Sequence, residues 1–308
     1  MKILVTGGAG FIGSHIVNAY LAEGHEVVVL DNLSTGKLEF INPKSTFYEM
    51  DLLNPAIKSI LAKEKVSIIN HHAAQSSVGR SVSDPIFDAN SNIIGTLQLL
   101  QNAVICGVKK TVFASTGGAI YGNQDSLPAR EDTTCYPVSP YAISKLSVEH
   151  YLKFFKDCHG LKFVSLRYSN VFGPRQDPFG ESGVIAIFCQ RLAENKTPIV
   201  SGDGEQTRDF ISIEDVVRAN ILAIQPSCPD GIFNVGTGIE TPVNELAREL
   251  MRISGRNLEI QYAPQRKGEQ RRSSIQNGKI YEAIGWKPEH PLKEALRETY
   301  RYFSSDED

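Results

Sequence analysis

The opening residues constrain this chain more than any other stretch. Ile3-Leu4-Val5 is an apolar run that breaks directly into Thr6-Gly7-Gly8-Ala9-Gly10-Phe11-Ile12-Gly13. The spacing Gly7-x-x-Gly10-x-x-Gly13, which also contains Gly8-x-Gly10-x-x-Gly13, reads as a strand, a tight turn and a helix start. One glycine permits the turn, another lets backbone N–H groups approach a pyrophosphate, and a third lets the helix pack closely on the strand. The helix N-terminus then offers unpaired donors and partial positive charge to phosphate anions. A second apolar run, Val27-Val28-Val29-Leu30, ends in Asp31. A carboxylate there accepts from both hydroxyls of an adenosine ribose and repels a 2′-phosphate. Turn, strand and acid together predict a site for NAD rather than NADP, built on Gly7, Gly10, Phe11, Ile12, Gly13 and Asp31.

Short apolar runs alternate with helical spacing through the first half. Ile3–Val5, Val27–Leu30, Ser67–Asn70, Thr111–Ala114 and Phe163–Arg167 read as buried strands. Phe11–Glu23, Pro85–Cys106 and Tyr141–Cys158 read as helices. This alternation predicts an α/β fold of Rossmann type, a doubly wound parallel sheet covered on both faces. After about Asn170 the pattern loosens. Gly, Pro and charge punctuate Gly173–Gly183, Ser201–Arg208 and Pro226–Gly231, while helices remain readable at Val184–Glu194, Ile213–Ala223, Val243–Ser254 and Leu292–Phe303. We therefore expect an NAD-binding domain over residues 1–170 and a smaller mixed α/β lobe over 171–308. The pattern allows the chain to cross back to the first domain around residues 205–235.

Composition excludes several classes. The net charge of −3 offers no electrostatic case for a nucleic-acid partner, whose phosphates demand clustered Lys and Arg. Cys106, Cys135, Cys158, Cys189 and Cys228 lie far apart, are odd in number and form no CxxC pair. They read as reduced thiols of a cytoplasmic protein, not as a disulfide framework or a zinc site. No apolar stretch approaches a membrane span, and the N-terminal run is too short for a signal peptide. His71 and His72 invite a metal, but neighbours on a strand point to opposite faces, which favours packing roles. The tail Ser304-Ser305-Asp306-Glu307-Asp308 reads as a frayed end.

Ser139-Pro140-Tyr141-Ala142-Ile143-Ser144-Lys145 opens a helix and puts Tyr141 and Lys145 on one face. A free tyrosine ionises near pH ~10, too high for a base at neutral pH. A nearby ammonium and a cationic nicotinamide ring both favour the phenolate, so Tyr141 is expected to take a proton from an alcohol whose carbon yields hydride. The strand Val112-Phe113-Ala114 runs into Ser115-Thr116-Gly117-Gly118. Hydroxyls at a strand's carboxyl end lie where open α/β sheets bind ligands, which places Thr116 on the same alcohol oxygen.

With these residues in hand, the chain resembles the extended short-chain dehydrogenase/reductase family, and within it the UDP-glucose (UDP-galactose) 4-epimerases. The resemblance spans nearly the whole length. It rests on Thr6–Gly13, Asp31-Asn32, Asp51-Leu52, His72-Ala73-Ala74-Gln75, Asn92, the Tyr141–Lys145 motif and Arg167-Tyr168-Ser169-Asn170-Val171-Phe172-Gly173-Pro174. Further on come Gly202–Phe210 and Arg266-Lys267-Gly268-Glu269. The resemblance implies NAD-dependent 4-epimerisation of a UDP-hexose through transient oxidation at C4. It places Asn32, Asp51 and Leu52 by the adenosine, and Ala73, Ala74 and Gln75 by the pyrophosphate and ribose. Asn92, Ser115 and Tyr168 fall by the nicotinamide half. It puts Asn170 on the sugar-nucleotide phosphate, Arg208 and Arg266 on the diphosphate, and Glu269 on the uridine ribose. Val184, Ile185 and Val200 complete the substrate set, and Ser273, a small residue where the family gates bulky groups, admits N-acetylhexosamines. A homodimer through Pro85–Cys106 and Tyr141–Cys158 is also implied.

The sequence departs from the family in two places. Many members have a serine four residues before the tyrosine of the following Tyr-Gly pair, and Tyr121-Gly122 puts Gly117 at that offset. Aligning on the strand instead brings Thr116 to the hydroxyl position. Ser76 stands where some epimerases have a lysine. Sibling chemistries remain as alternatives: 4,6-dehydration, which usually uses an Asp-Glu pair where this chain has Gly117-Gly118, or epimerisation or decarboxylation of a UDP-glucuronate. A non-catalytic NAD-binding regulator is the competing class, although such proteins typically lose the tyrosine or the lysine.

Overall fold

The computed structural model describes residues 1–179, 183–265 and 270–305. In the first part β1 (Lys2–Thr6), α1 (Phe11–Ala22), β2 (Glu26–Asp31), β3 (Thr46–Glu49), α2 (Ile57–Glu64) and β4 (Ile68–His71) lead into α3 (Val78–Ser83), α4 (Pro85–Ala89) and α5 (Gly95–Ile105). Next come β5 (Lys110–Thr116), α6 (Gly117–Ile120), α7 (Pro140–His159) and β6 (Lys162–Tyr168). Beyond these lie β7 (Asn170–Phe172), α8 (Val184–Ala193), β8 (Ile199–Ser201), β9 (Thr207–Arg208), β10 (Phe210–Ser212), α9 (Ile213–Ala223) and β11 (Gly231–Val235). The chain closes with β12 (Thr241–Pro242), α10 (Val243–Ser254), β13 (Gln261–Ala263), α11 (Gly278–Ile284) and α12 (Leu292–Ser304).

The described residues build a seven-stranded sheet in the order β11-β6-β5-β4-β1-β2-β3. Every neighbouring pair in it is parallel. Alternation along β2 shows why both faces are covered. Val27 and Val29 enter the core shared with α1, α9 and Trp286, while Val28 and Leu30 enter the opposite core under α2, α5 and α7. This is the doubly wound arrangement the apolar runs predict. Its strand order reverses between β1 and β4, so a ligand crevice opens beyond their carboxyl ends.

Two strands of the sheet exceed the sequence expectation. β3 is short and only partly buried at the edge, so it carries little apolar signal. β11 arrives after β7–β10 and pairs with β6, with Gly231 opposite Val164 and Val235 opposite Tyr168. The buried Lys110 fastens this return, donating from Nζ to the carbonyls of Ala223, Gln225 and Cys228 at 3.0–3.2 Å. A cation there satisfies carbonyls left open at the end of α9. A separate core of Phe172, Phe188, Leu192, Phe210, Leu246, Leu250 and Phe303 holds α8, α10 and α12 together.

The helix expected over Pro85–Cys106 is interrupted. A π turn spans Asn90–Ile94 between α4 and α5 and changes the helical phase of α5 relative to α4. Helix α7 is framed by local chemistry: the Ser139 side chain accepts from the Ala142 N–H, Pro140 occupies the first turn, and Gly160 ends it in the left-handed region at φ 69°.

Candidate active site

The glycine turn lies at the crevice. Gly7 has φ 69°, and a Cβ on it would meet the Ala73 nitrogen at 2.6 Å. A Cβ on Gly13 would run into the Gly7 carbonyl. Both near neighbours are backbone and cannot move aside. The Gly10 N–H donates to the Gly7 carbonyl at 3.1 Å, which closes the turn. Gly10 caps α1 without a side chain, and Phe11, Ile12 and Gly13 form its first turn, whose N–H groups have no acceptor inside the helix. This shape fits a pyrophosphate: a cradle of backbone donors kept open because no side chain fills it.

Asp31 ends β2 and is 7% exposed. Its carboxylate accepts from the Ala9 and Leu33 N–H groups, each at 2.9 Å, which fixes its direction and leaves lone pairs for a ribose. Nearby, Asn32 Nδ2 donates to Asp51 Oδ2 at 2.9 Å, and Leu52 is buried beside them. The loop after β4 lies against the glycine turn, where the Ala73 N–H donates to Thr6 Oγ1 at 3.2 Å. Ala74 is partly buried and Ser76 is exposed. Gln75 is clasped by Asn92: its N–H donates to Asn92 Oδ1, and Asn92 Nδ2 donates back to its carbonyl, both at 2.9 Å.

Strand β5 and helix α7 bring the chemistry-bearing hydroxyls together. The Thr116 side chain lies close enough to the Tyr141 phenol to favour its ionised form. Lys145 Nζ donates to the Ala114 carbonyl at 2.8 Å and lies 5.8 Å from the centre of the Tyr141 ring. Burial pushes the Tyr141 phenol up to about 12, the Asp88 charge adds to the rise, and Thr116 opposes it. Burial draws the Lys145 ammonium down to about 8, against the pull of Asp88 and Glu149. In the chain alone, burial and the Asp88 charge both hold the phenol in its protonated form.

Other expected residues sort into cleft and core. Ser115 turns its hydroxyl inward, donating to Glu149 Oε1 at 2.7 Å. Tyr168 is buried, receives the Asn220 amide at 2.8 Å and stacks on His72, whose Nε2 lies 3.1 Å from its hydroxyl. Asn170 Oδ1 is buried without a partner and lies close to Gly118. Arg208 stands on β9, donating from Nη1 to the Thr207 carbonyl at 2.8 Å. Val184 is partly buried at the start of α8, whereas Ile185 and Val200 are 1% exposed and belong to the core of the second lobe. Ser273 is buried, next to the Arg272–Glu240 fork. Arg266, Glu269, the Lys267-Gly268 pair between them and the tail Asp306-Glu307-Asp308 lie outside the described residues.

His71 bridges Thr6 Oγ1 at 2.6 Å and Thr96 Oγ1 at 2.8 Å, so both ring nitrogens serve packing. Among the described residues there is no metal-ligating cluster, and no helix is long and apolar enough to cross a membrane.

Two buried acids in this region were given no role by the sequence, although Asp209 lies within the Gly202–Phe210 run. Asp88 is fully buried between Gln75, Asn92 and Ser144. Its only signal is a position one helical turn before Asn92. Asp209 accepts from the N–H groups of Thr237, Gly238 and Ile275 at 3.0–3.3 Å and from the Thr237 hydroxyl at 2.6 Å. Burial pushes its carboxyl above the usual range, against those four donors.

The family model described as NAD dependent epimerase/dehydratase matches residues 3–236. The structure of UDP-glucose 4-epimerase from Thermotoga maritima with UDP-glucose is 46% identical, covers 100% of both chains and superposes with a TM-score of 0.98. That of the UDP-glucose 4-epimerase from Thermus thermophilus in complex with NAD is 42% identical, covers 98% of this chain and 99% of its own, and gives 0.93. The UDP-glucose 4-epimerase of Mycolicibacterium smegmatis is 42% identical over 98% of each chain. A glycine cradle, a buried acid at the end of β2 and a Tyr–Thr–Lys cluster thus occur in a chain that these proteins match end to end, and it belongs to the NAD dependent epimerase/dehydratase family.

Proposed function

We propose that this enzyme inverts C4 of a UDP-hexose, interconverting UDP-glucose and UDP-galactose, with NAD as its resident cofactor. The observation that carries the reading is the Tyr141–Thr116–Lys145 cluster at the carboxyl end of β5, on the same edge of the parallel sheet as the glycine turn after β1. NAD held in the crevice beyond that edge would supply the two-electron acceptor and donor for the hydride of C4. Tyr141 takes the proton of the C4 hydroxyl and later gives it back, and Thr116 holds the same oxygen. Lys145 fixes the helix face against β5 through Ala114 and keeps a positive charge beneath the phenol.

The diphosphate is assigned to Arg208 and Arg266, with Asn170 on the sugar-nucleotide phosphate and Glu269 on the uridine ribose. A guanidinium suits bidentate phosphate binding, and the unpartnered Asn170 oxygen supports a ligand at that point. Holding the nucleotide leaves the sugar free to turn between the two transfers. Gly7, Gly10, Phe11, Ile12, Gly13, Asp31, Asn32, Asp51, Leu52, Ala73, Ala74, Gln75, Asn92 and Tyr168 are assigned to NAD, and Val184 and Ser273 to the sugar side. Residues 1–170, with the returning segment around 205–235, form the NAD-binding unit in this reading, and the rest of 171–308 the substrate lobe.

A homodimer is supported by the apolar side chains that neighbouring helices leave exposed, Ile86, Ile94 and Ile105 on one run and Ile143, Tyr151 and Phe154 on α7. The five free thiols support a cytoplasmic setting.

Mass spectrometry of the molecules released from the purified protein is expected to find NAD. An interconversion assay is expected to show turnover that Tyr141→Phe reduces by about 10²–10⁴-fold while NAD stays bound. Wild-type protein that holds NAD yet leaves UDP-glucose and UDP-galactose unchanged would overturn the reading.

A further inference from the structure

We propose that Asp88 is a positioning residue for this reaction: it is the buried counter-charge of Lys145, and so leaves Tyr141 as the group that answers the charge of the nicotinamide. The inference rests on the assignment of the chain as an NAD-dependent 4-epimerase. Asp88 lies on α4 with 0% exposure. Its Oδ1 accepts from Gln75 Nε2 at 3.0 Å and Asn92 Nδ2 at 2.9 Å, and its Oδ2 accepts from Ser144 Oγ at 2.6 Å. Ser144 directly precedes Lys145 on α7, Gln75 belongs to the loop beside the glycine turn, and Asn92 sits in the π turn. One carboxylate therefore ties together three segments that converge on the site. Inserted π turns break helical regularity and concentrate at functional positions, and this one presents Asn92 to both Gln75 and Asp88.

A buried carboxylate is costly unless a positive charge compensates it. The hydrogen-bond partners of Asp88 among the described residues are neutral donors. The other acid close to Lys145 is Glu149, which is already matched: Arg167 grips it through Nε at 3.0 Å and Nη2 at 2.6 Å. The remaining groups around α7 do not change the balance. Burial, aided by Lys145, draws the imidazoles of His71 and His72 down to about 3, so both are neutral. Arg80 on α3 is exposed and stacks over Phe87, and Lys110 and Lys162 begin their strands at the far end of the sheet. Tyr168 is held protonated by burial.

With Glu149 held by Arg167 in direct contact, charge balance leaves Asp88, tied to α7 through Ser144, to offset Lys145, and the phenol is neutral in the bare chain. A nicotinamide cation adds one unmatched charge, and ionising Tyr141 cancels it. Proton loss from the base is in this way conditional on the oxidised cofactor. Without the Asp88 charge, Lys145 becomes an unmatched cation in its own right, and the phenol ionises at lower pH.

The test is a pH titration of phenolate absorbance in NAD-loaded protein, taken as a difference against Tyr141→Phe. Asp88→Asn is expected to lower the midpoint by about one pH unit, with the acid limb of kcat/KM moving the same way. Because an Asn amide would face the Gln75 and Asn92 donors, Asp88→Ser is the second variant and is expected to give the same direction. Ser144→Ala removes one hydrogen bond but keeps the charge, so its midpoint should stay near that of the wild type. A folded Asp88→Asn or Asp88→Ser with an unmoved midpoint would overturn the proposal, as would an equal shift in Ser144→Ala. Should the wild type titrate as described but fail to interconvert the sugars, the functional reading falls and the charge assignment stands.

Discussion

Replacing Arg167 by Met tests the electrostatic floor of the site. Arg167 and Glu149 have side chains only 4% and 2% exposed, and their closest contact is 2.6 Å. Burial works against the Arg167 charge, yet its grip on Glu149 pushes the guanidinium above its ordinary pKa. Arg167→Met leaves Glu149 with the Ser115 and Ser165 hydroxyls at 2.7 and 3.0 Å and no cation. It also removes the donor to Tyr121, which keeps its own bond to Asn234 at 2.7 Å. Breaking a buried pair from one side costs about 3–5 kcal/mol, because a desolvated charge is stranded. With an m-value of about 3 kcal/mol/M in urea, the unfolding midpoint should fall by about 1–1.7 M. Equilibrium urea denaturation followed by circular dichroism reads this directly. The double variant Glu149→Leu/Arg167→Met removes the stranded charge and should recover much of the loss. A single variant that loses less than about 1 kcal/mol, or a double variant less stable than the single, would refute the assignment of the pair as mutually dependent.

Gly13→Ala places a Cβ against the Gly7 carbonyl and 2.9 Å from the Gly8 Cα, so the cradle must open. NAD affinity measured by calorimetry should fall by about tenfold or more, each 1.4 kcal/mol being a factor of ten; unchanged affinity would show that the turn is not the anion site. Burial lowers Lys145 from 10.5 to about 8 in the folded chain. Below pH 8 both states hold the proton, and between about 8 and 10.5 the unfolded chain binds more, so this residue makes stability rise with pH through that window. Denaturation midpoints should show wild type gaining on Lys145→Met across it, and a constant difference would contradict the burial argument. Ser273→Tyr should depress turnover of UDP-N-acetylglucosamine by about tenfold or more relative to UDP-glucose, checked by paired kcat/KM values.

Much of the sheet and helix pattern could be read from periodicity, because β1, β2, β4, β5 and β6 are buried on both faces and each carries a short apolar run. The edge strand β3, with Thr46 and Glu49 exposed, leaves no such run. The π turn at Asn90–Ile94 carries no periodicity signal, and one partner of its Asn92, the Gln75 backbone, comes from a distant loop. Local sequence located Tyr141, Lys145 and Thr116, whose spacing is set by one helix and one strand end. It could not tell that Ser115 would face Glu149, or that Ile185 and Val200 would serve a core. Asp88 escaped for a related reason: Gln75 and Ser144 lie 13 and 56 residues away, and only Asn92 is local.

The return of the chain at β11 has a mechanical consequence. The polypeptide leaves the sheet after β6, comes back through α9 and departs again toward β12, so several crossings rather than one tether join the two regions. Asp209 staples these crossings to one another by gripping Thr237, Gly238 and Ile275. A clamshell motion would have to shear that staple, which favours a braced scaffold. In such a scaffold the moving part of a catalytic cycle is the ligand's own ring, pivoting inside walls that hold still.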